Sequence, residues 1–183
     1  AGQKTGLFLD QRDNLSALRR YLPQKARVLD MHCYVGAWSV MAARWGAGEV
    51  LGVDASEAAL AHARRHAERA GVLEKCRFEA GDAITALKRL GEAKERFDVV
   101  LLDPPSYAKS KRDVPDAMRG LIDANIRAAR LVAPGGLLVS SACSHHILRE
   151  TFREILDIAI RKAGRRGTLV EFRSQGADHP VAL

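Results

Sequence analysis

The chain has 183 residues, a length that suits a single domain. Its 47% hydrophobic and 28% charged residues are ordinary for a globular protein, and they exclude a disordered tail, a fibrous repeat and a small disulfide scaffold. The formal net charge is +7, and most of the excess falls after residue 108, where there are 13 basic and 8 acidic side chains. Such an excess either favours a polyanionic partner such as nucleic acid or serves only solubility.

Membrane spans, metal sites and disulfides are not expected. No apolar run approaches the roughly 20 residues that a membrane-spanning helix needs. The three cysteines, Cys33, Cys76 and Cys143, are far apart and form no CxxC pair, which argues against a zinc site and a disulfide framework. Reduced cysteines are typical of the cytosol, so we expect a cytoplasmic protein without a metal ion.

Short apolar runs alternate with amphipathic helical patterns, and this alternation predicts a parallel sheet covered by helices. In chain order the predicted elements are a helix at 11–22, strands at 27–30 and 49–54, a helix that Ser56 caps and that ends at Gly71, a strand at 77–79, a helix at 83–90, a strand at 97–102, a helix at 118–132, a strand at 137–141, a helix at 149–163 and a strand at 168–172. The most apolar run, 97–102, is expected to be a central strand buried on both faces. The predicted fold class is α/β, with a doubly wound sheet and right-handed crossovers.

Ligands of such a sheet bind outside the carboxyl ends of its strands, so the residues that follow each strand are the candidates for a site. Asp30 ends the first strand, and the tight turn that follows it to Gly36 would place backbone N–H groups beside a ligand. His32 and Tyr34 stand where a G-x-G-x-x-G fingerprint needs glycine. A nicotinamide-dependent oxidoreductase is therefore disfavoured.

Three further acids follow the next strands. Asp54 ends the second strand, where an acid accepts hydrogen bonds from both ribose hydroxyls of an adenosine group; the alternative is a helix cap, a role for which Ser56 is available. Asp82 could accept from an adenine amine or cap its own helix. Asp103 precedes two prolines that stiffen its loop, so its carboxylate can face the site at low entropic cost.

In this order and at this spacing, the motifs resemble those of the class I S-adenosylmethionine-dependent methyltransferases. The segments that match the motifs of that family are 28–36, 53–54, 81–83, 97–105 and 131–136. The resemblance implies a Rossmann-like, mostly parallel sheet and S-adenosylmethionine as the cofactor. It also implies the cofactor-binding residues: Asp30 and Gly36 at the methionine part, Asp54 and Ala55 at the ribose, Asp82 and Ala83 at the adenine, and Asp103 as a further contact.

Cys143 lies just past the fifth predicted strand, which opens on the cofactor site, and it is therefore a candidate nucleophile. A thiolate that adds to C6 of cytosine makes C5 an enamine-like carbon, which can take a methyl group from a sulfonium; loss of the C5 proton then expels the thiolate. The alternative is that Cys143 is a small buried hydrophobe. The positions of Cys33 and Cys76 suit a structural role.

Four segments together look like the bacterial large-subunit ribosomal RNA cytosine-C5 methyltransferases. They are 4–12, 31–36, 103–110 and 142–146, and the tail at 175–180 resembles the same family. The resemblance implies ribosomal RNA as the partner and 5-methylcytosine as the product. It also implies that Cys143 is the nucleophile, that Asp103 contacts the edge of a flipped target base, and that segment 4–12 closes over the methionine end of the cofactor.

Members of that family usually carry an N-terminal PUA RNA-binding domain, and their sheet normally ends with an antiparallel strand after the Asp-His-Pro loop, which is 178–180 here. We therefore expect residues 1–183 to be the catalytic domain of a longer protein, without its final antiparallel strand. The sequence leaves the oligomeric state open, with a homodimer among the options.

Two other functions compete with this hypothesis. A methyltransferase that acts on a base nitrogen shares the Asp-Pro-Pro motif, but its stacking aromatic follows at once, whereas Ser106 here precedes Tyr107. A catalytically silent RNA-binding domain would have no need of acids at all four strand ends. Neighbouring side chains leave further alternatives: His145 and His146 either relay the C5 proton or cap a helix and contact phosphate, and Lys109, Lys111 and Arg112 either grip RNA or lie in a solvated loop.

Overall fold

Strands and helices alternate along the chain, as predicted. The computed structural model describes residues 11–108, 110–144 and 146–174. Within these ranges the strands are β1 (Arg27–Met31), β2 (Glu49–Asp54), β3 (Cys76–Ala80), β4 (Phe97–Leu102) and β5 (Val132–Ser140). The helices are α1 (Arg12–Leu18), α2 (Ala37–Arg44), α3 (Glu57–Arg69), α4 (Ala83–Glu92), α5 (Val114–Leu131) and α6 (Arg149–Lys162). Short 3-10 turns at Leu73–Lys75 and Lys111–Asp113 lead into β3 and α5.

The strands form one parallel sheet in the order β3-β2-β1-β4-β5. β1 lies at the centre, and the order of the strands reverses between β1 and β4. In an open α/β sheet this switch point is where ligands bind. The predicted α/β class and the doubly wound, Rossmann-like parallel sheet are confirmed.

Two apolar clusters cover the two faces of the sheet. On one face Val28 packs with Leu60 of α3 and with residues of α1 and α2. On the other face Leu29 packs with Leu87 of α4 and Ala128 of α5. Successive residues of a strand point to opposite faces, so a strand that is covered on both sides is apolar throughout. Helix α6 does not cover the sheet centre but packs against α5 in a third cluster.

Side chains fix the starts of two helices at the carboxyl edge of the sheet. Ser56 Oγ accepts a hydrogen bond from Ala59 N at 3.2 Å, which is the cap that the sequence predicts. Asp82 Oδ1 accepts from Thr85 N at 2.8 Å. Each cap satisfies an N–H that has no partner within its helix. The caps set where the chain turns from β2 into α3 and from β3 into α4.

Three predicted boundaries are wrong by four or more residues. Helix α1 ends at Leu18 rather than at 22. Helix α5 begins at Val114 rather than at 118, because a proline suits its first turn and a capping box of Ser110 and Asp113 precedes it. Strand β5 begins at Val132, which pairs with Phe97. A register shift follows, and regular pairing with β4 resumes at 137, where the sequence predicts the start of the strand.

The strand predicted at 168–172 is also wrong, since these residues have no regular secondary structure. Two of their apolar side chains are largely exposed: Leu169 is 52% and Val170 is 60% exposed. Two other residues of the segment contact helical parts of the chain instead. Glu171 accepts hydrogen bonds from Arg20 and Tyr21, which follow the end of α1, and Phe172 packs edge-on against a phenylalanine of α6.

Several expectations concern residues outside the described ranges. They are the closure over the cofactor by segment 4–12, of which residues 4–10 lie outside, the roles of Lys109 and His145, and the resemblance of the tail at 175–180. The expectation of a missing final strand concerns the same tail. Within the described ranges no helix is both long and apolar enough to cross a membrane.

Leu60 tests the packing of α3 on the sheet, because its side chain is 0% exposed. We expect Leu60→Ala to lower the free energy of unfolding by about 2–5 kcal/mol, as for other buried leucines. Leu73 is 41% exposed, so Leu73→Ala is the matched control and should cost far less. Urea denaturation of both variants measures the difference, and equal costs would contradict the described packing.

Candidate functional site

Backbone hydrogen bonds continue past the strands and gather their loops at one edge of the sheet. Asp103 N donates to Met31 O at 3.5 Å, and Ser141 N donates to the end of β4 at 3.0 Å. On the other side of β1, Gly81 N donates to Asp54 O at 2.9 Å. The four acids predicted from the strand ends therefore lie along this carboxyl edge, on both sides of the switch point.

The turn after β1 has a backbone conformation that favours glycine. His32, Tyr34 and Gly36 have φ angles of 62°, 49° and 79°, in the left-handed region. Such a conformation costs a non-glycine residue about 1–2 kcal/mol, so the surroundings must hold the turn. Tyr34 N donates to Asp54 Oδ2 at 2.9 Å. At Gly36 a Cβ would lie 2.9 Å from Ala63 Cβ, so only glycine lets α2 start this close to α3.

Asp30 is a fully buried acid at the switch point. Ser39 Oγ donates to its Oδ2 at 2.6 Å, and Oδ1 is buried with no hydrogen-bond partner among the described residues. Burial raises the pKa of Asp30 to about 7, and the nearby carboxylates of Asp103 and Asp54 add to the rise. A buried acceptor without a partner fits a ligand with an N–H donor or a cationic group, such as the ammonium of a methionine.

Asp54 holds the turn after β1 and the start of α3 together. Its Oδ1 accepts from Ser56 N at 2.9 Å, and its Oδ2 accepts from Tyr34 N. Ser56 caps α3, so the helix-cap alternative for Asp54 is wrong. Each carboxylate oxygen can accept a second hydrogen bond, which leaves Asp54 able to accept from hydroxyls. Ala55 is exposed beside it, and the ribose contact of both residues stays a prediction.

Asp82 is exposed and caps α4. Its Oδ1 accepts from the backbone N of Thr85 and from the hydroxyl of the same residue at 2.9 Å, and these hydrogen bonds lower the pKa of Asp82. The cap role that the sequence left open is therefore the observed one, while an adenine contact stays a prediction. Ala83 is buried behind the cap. A cavity of about 530 Å³ opens between β3 and α4, lined by Asp82, Gly81 and Arg89 among others.

Two serines join the loop after β4 to the loop after β5. Ser141 Oγ donates to Asp103 Oδ1, and Ser144 Oγ donates to Ala108 O at 2.9 Å. Cys143 lies between these serines and is exposed, so the alternative in which it is a buried hydrophobe is wrong. The candidate nucleophile and the acid after β4 are thus parts of two loops that are bonded to each other.

The other two cysteines and His32 are held inside the protein. Burial raises the pKa of the Cys33 thiol and raises that of Cys76 to about 11, so both stay protonated and suit the structural role expected of them. Burial lowers the pKa of His32, which is therefore neutral at pH 7 beside the carboxylates of Asp54 and Asp103. Its Nε2 is buried with no hydrogen-bond partner among the described residues.

Sequence reasoning missed the side chains that hold the acids and the loops beside them in place. They are Gln11, Ser39, Ser141 and Ser144. Ser39 is fully buried on a helix face, where a serine is uncommon, so a prediction of the inner face of α2 would have found it. The other three lie in or beside loops, whose contacts leave no periodic signal in the sequence. The predicted Lys111 and Arg112 are both exposed.

A parallel α/β sheet whose carboxyl edge carries four acids is the architecture of a class I methyltransferase. Residues 22–173 match the family described as "Methyltransferase domain". The chain therefore belongs to this family, and its cofactor is S-adenosylmethionine.

Relatives and solved structures agree with this family. The chain is 41% identical over 182 residues to ribosomal RNA large subunit methyltransferase I of Tolumonas auensis, covering 99% of this chain and 46% of that protein. It is 41% identical over 181 residues to the enzyme of the same name from Aeromonas salmonicida, covering 98% and 46%. The chain thus spans about half the length of these relatives.

The solved structures support the fold. The S-adenosylmethionine-dependent methyltransferase from Agrobacterium tumefaciens superposes with a TM-score of 0.73 at 24% identity, covering 86% of this chain and 52% of that one. A second solved structure, of the methyltransferase SMU.776 in complex with S-adenosylhomocysteine, superposes with a TM-score of 0.82 at 22% identity. The match covers 97% of this chain and 46% of that one. At this identity the likeness concerns the fold alone.

The pKa of Asp30 makes a prediction about stability. Because this pKa rises from 3.8 to about 7 on folding, the stability that the protonated acid contributes is full at low pH and is lost as the pH rises through about 7. Asp30→Asn removes this titration. We expect the free energy of unfolding of the variant, relative to that of the wild type, to rise by about 3 kcal/mol between pH 5 and pH 8. Urea unfolding of both proteins at the two pH values tests this, and parallel pH dependence would contradict it.

Proposed function

We propose that this domain methylates C5 of a cytosine in large-subunit ribosomal RNA through a covalent adduct between the base and Cys143. The observation that carries the proposal is the pair of serine hydrogen bonds that joins the Cys143 loop to the Asp103 loop. An exposed thiol beside the carboxyl edge of the sheet has a task in cytosine-C5 chemistry. Methylation of a base nitrogen would give it none.

The cofactor would lie across the switch point. Asp30 supplies a buried acceptor for the methionine ammonium, and Gly36 keeps the adjoining turn close to α3. Asp54 and Ala55 would meet the ribose, because Asp54 ends the strand next to β1. Asp82 and Ala83 would meet the adenine, because they follow β3 at the same edge of the sheet; Asp82 caps α4 and Ala83 is its first residue. Asp103 would contact both cofactor and base.

Cys143 would be the nucleophile that attacks the target cytosine, and Asp103 would position that base. The Cys143 thiolate adds to C6, the C5–C6 double bond opens, and C5 becomes nucleophilic. S-adenosylmethionine, held by the residues named above, would supply an electrophilic methyl group for C5, and the bond between its sulfur and that methyl group would break. A base then removes the C5 proton, the C5–C6 double bond re-forms, and the thiolate leaves with the electrons of the carbon–sulfur bond. Asp103 holds the edge of the flipped cytosine while these bonds change.

The RNA substrate is supported by the names of the relatives and by charge. The relatives cited above are named as ribosomal RNA large subunit methyltransferases. Residues 109–183 carry 13 basic and 8 acidic side chains, and the exposed Lys111 and Arg112 follow the Asp103 loop. Basic side chains near the target base would bind the RNA backbone. A ribosomal RNA substrate and reduced cysteines fit a reaction in the cytoplasm.

Tyr107 speaks against methylation of a base nitrogen. Its ring packs in the cluster that α5 and α6 form, about 3.4 Å from the point where a Cβ of Gly120 would lie. Burial raises the pKa of Tyr107, as expected for a phenol that is half inside the protein. A ring that is engaged in this packing is poorly placed to stack on a substrate base.

Asp54 tests the cofactor site. We expect Asp54→Asn to weaken binding of S-adenosylhomocysteine about 10- to 100-fold, because hydrogen bonds to a charged acceptor are lost. The variant also perturbs the turn that Asp54 holds, so a ligand control is needed. The wild type should prefer S-adenosylhomocysteine to its 2′-deoxy analogue, and the variant should lose that preference. Calorimetry measures the affinities of both proteins for both ligands. If the variant bound the two ligands equally more weakly than the wild type does, the change would indicate only a disturbed turn.

Cys143 tests the covalent mechanism. An RNA that contains 5-fluorocytosine should form a stable adduct with the protein in the presence of S-adenosylmethionine, because fluorine cannot leave C5 as the proton does. We expect Cys143→Ala to abolish the adduct in denaturing gels and mass spectra. Cys76→Ala, which removes a buried thiol, is the control and should keep it. An adduct with Cys143→Ala, or a methyl group on a base nitrogen of ordinary RNA, would overturn the proposal.

A further inference from the structure

Three hydrogen bonds in series connect the end of the described chain to Asp103. Arg173 Nε donates to Asn14 Oδ1 at 3.1 Å, and Asn14 Nδ2 donates to Gln11 Oε1 at 2.9 Å. Gln11 Nε2 then donates to Asp103 Oδ1 at 3.5 Å. We call this series of Arg173, Asn14, Gln11 and Asp103 the arginine relay.

The relay has a fixed direction. Each amide accepts on one side and donates on the other, so both of its neighbours set its orientation. The series starts at a guanidinium and ends at a carboxylate, and hydrogen bonds aligned in this way strengthen one another. Gln11 stands at the N-cap of α1 but makes no side-chain cap bond there. Its amide N–H therefore bonds to Asp103 and does not cap the helix.

A second set of contacts holds α1 and the start of the relay. Glu171 accepts from Arg20 Nη2 at 2.9 and 2.8 Å, from Tyr21 Oη at 2.8 Å and from Arg173 Nη1 at 2.8 Å. Hydrogen bonds from Arg173, Tyr21 and Arg20 lower the pKa of Glu171 to about 2, so it is a carboxylate at neutral pH. Leu18 is buried in the core beneath α1. Apolar packing and ion pairs thus fix the helix that carries Gln11 and Asn14.

We propose that Gln11 is a positioning residue of the methyltransferase site, which sets the orientation of the Asp103 carboxylate with the support of Asn14 and Arg173. Gln11 and Ser141 both donate to Oδ1 of Asp103, one from α1 and the other from the loop after β5. Two donors on one oxygen, from two separate elements, define the plane of the carboxylate. The inference rests on the proposed function in so far as Asp103 acts on the target base.

Substitutions of Gln11 separate positioning from a structural role. Gln11→Met keeps the length of the side chain but has no N–H donor, and Gln11→Glu brings a second carboxylate to Asp103. We expect the single-turnover methylation rate to fall about tenfold with Met and further with Glu, at an unchanged Tm. If Gln11 only stabilised the helix, Gln11→Glu would keep the wild-type rate, since an acid at a helix N-terminus is favourable. Ser16→Ala removes the bond from Ser16 Oγ to Arg12 O on the same helix and should keep the wild-type rate.

The serial order of the relay gives a second test. Asn14→Leu acts on Asp103 only through Gln11, so the double variant with Gln11→Met should be no slower than Gln11→Met alone. A wild-type rate with Gln11→Glu, or losses that multiply in the double variant, would overturn the proposal.

A measurement that does not depend on the product separates this inference from the proposed function. The side-chain amide resonance of Gln11 should shift in Asp103→Asn and stay in place in Asp98→Asn, since Asp98 accepts from Arg27 N at the far end of the sheet. If the Gln11 resonance shifts but the protein makes no 5-methylcytosine, the arginine relay is supported and the proposed function is wrong. A protein that makes 5-methylcytosine but shows no shift would reject the relay.

Discussion

β1 pairs in parallel with β2 on one side and β4 on the other, and every part of the site depends on this central position. Parallel strands all end at the same edge, so the turn after β1 and the loop after β4 leave the sheet side by side. Backbone bonds between Met31 and Asp103, and between β4 and Ser141, extend this alignment into the loops. The acids lie along one edge of the sheet because the strands are parallel and in register.

This arrangement has an energetic cost that is concentrated in one turn. Asp30 is buried near two other carboxylates, and its charged form is disfavoured to the extent that its pKa reaches about 7. His32 and Tyr34, a few residues later, hold left-handed backbone conformations without being glycine. Strain and buried charge of this kind are tolerated where the rest of the fold determines the geometry, and they are frequent at functional sites. Their coincidence at the switch point supports the placement of the cofactor there.

Short polar side chains organise the part of the site where a substrate would enter. Serines join the loops after β4 and β5, and an amide from α1 reaches the same acid. These bonds come from elements that are distant in sequence: Gln11 and Asp103 are separated by 92 residues, and Ser141 and Asp103 by 38. The orientation of Asp103 is therefore a property of the assembled domain and of no single loop.

The alternation of strands and helices, the parallel sheet and the acids at the strand ends could all be predicted from the sequence, because hydrophobic periodicity and helix caps are local signals. The sequence also singled out Cys143 by its place after the fifth predicted strand. It failed at 168–172, where apolar residues suggested a strand but the chain forms no regular structure and Leu169 and Val170 stay largely exposed. The packed domain was needed to show that Cys143 is exposed, that Asp82 caps a helix, and that Gln11 and Ser141 hold Asp103. The physical reason is that hydrogen bonds between distant loops depend on how the layers pack, and such contacts have no period that a sequence could reveal.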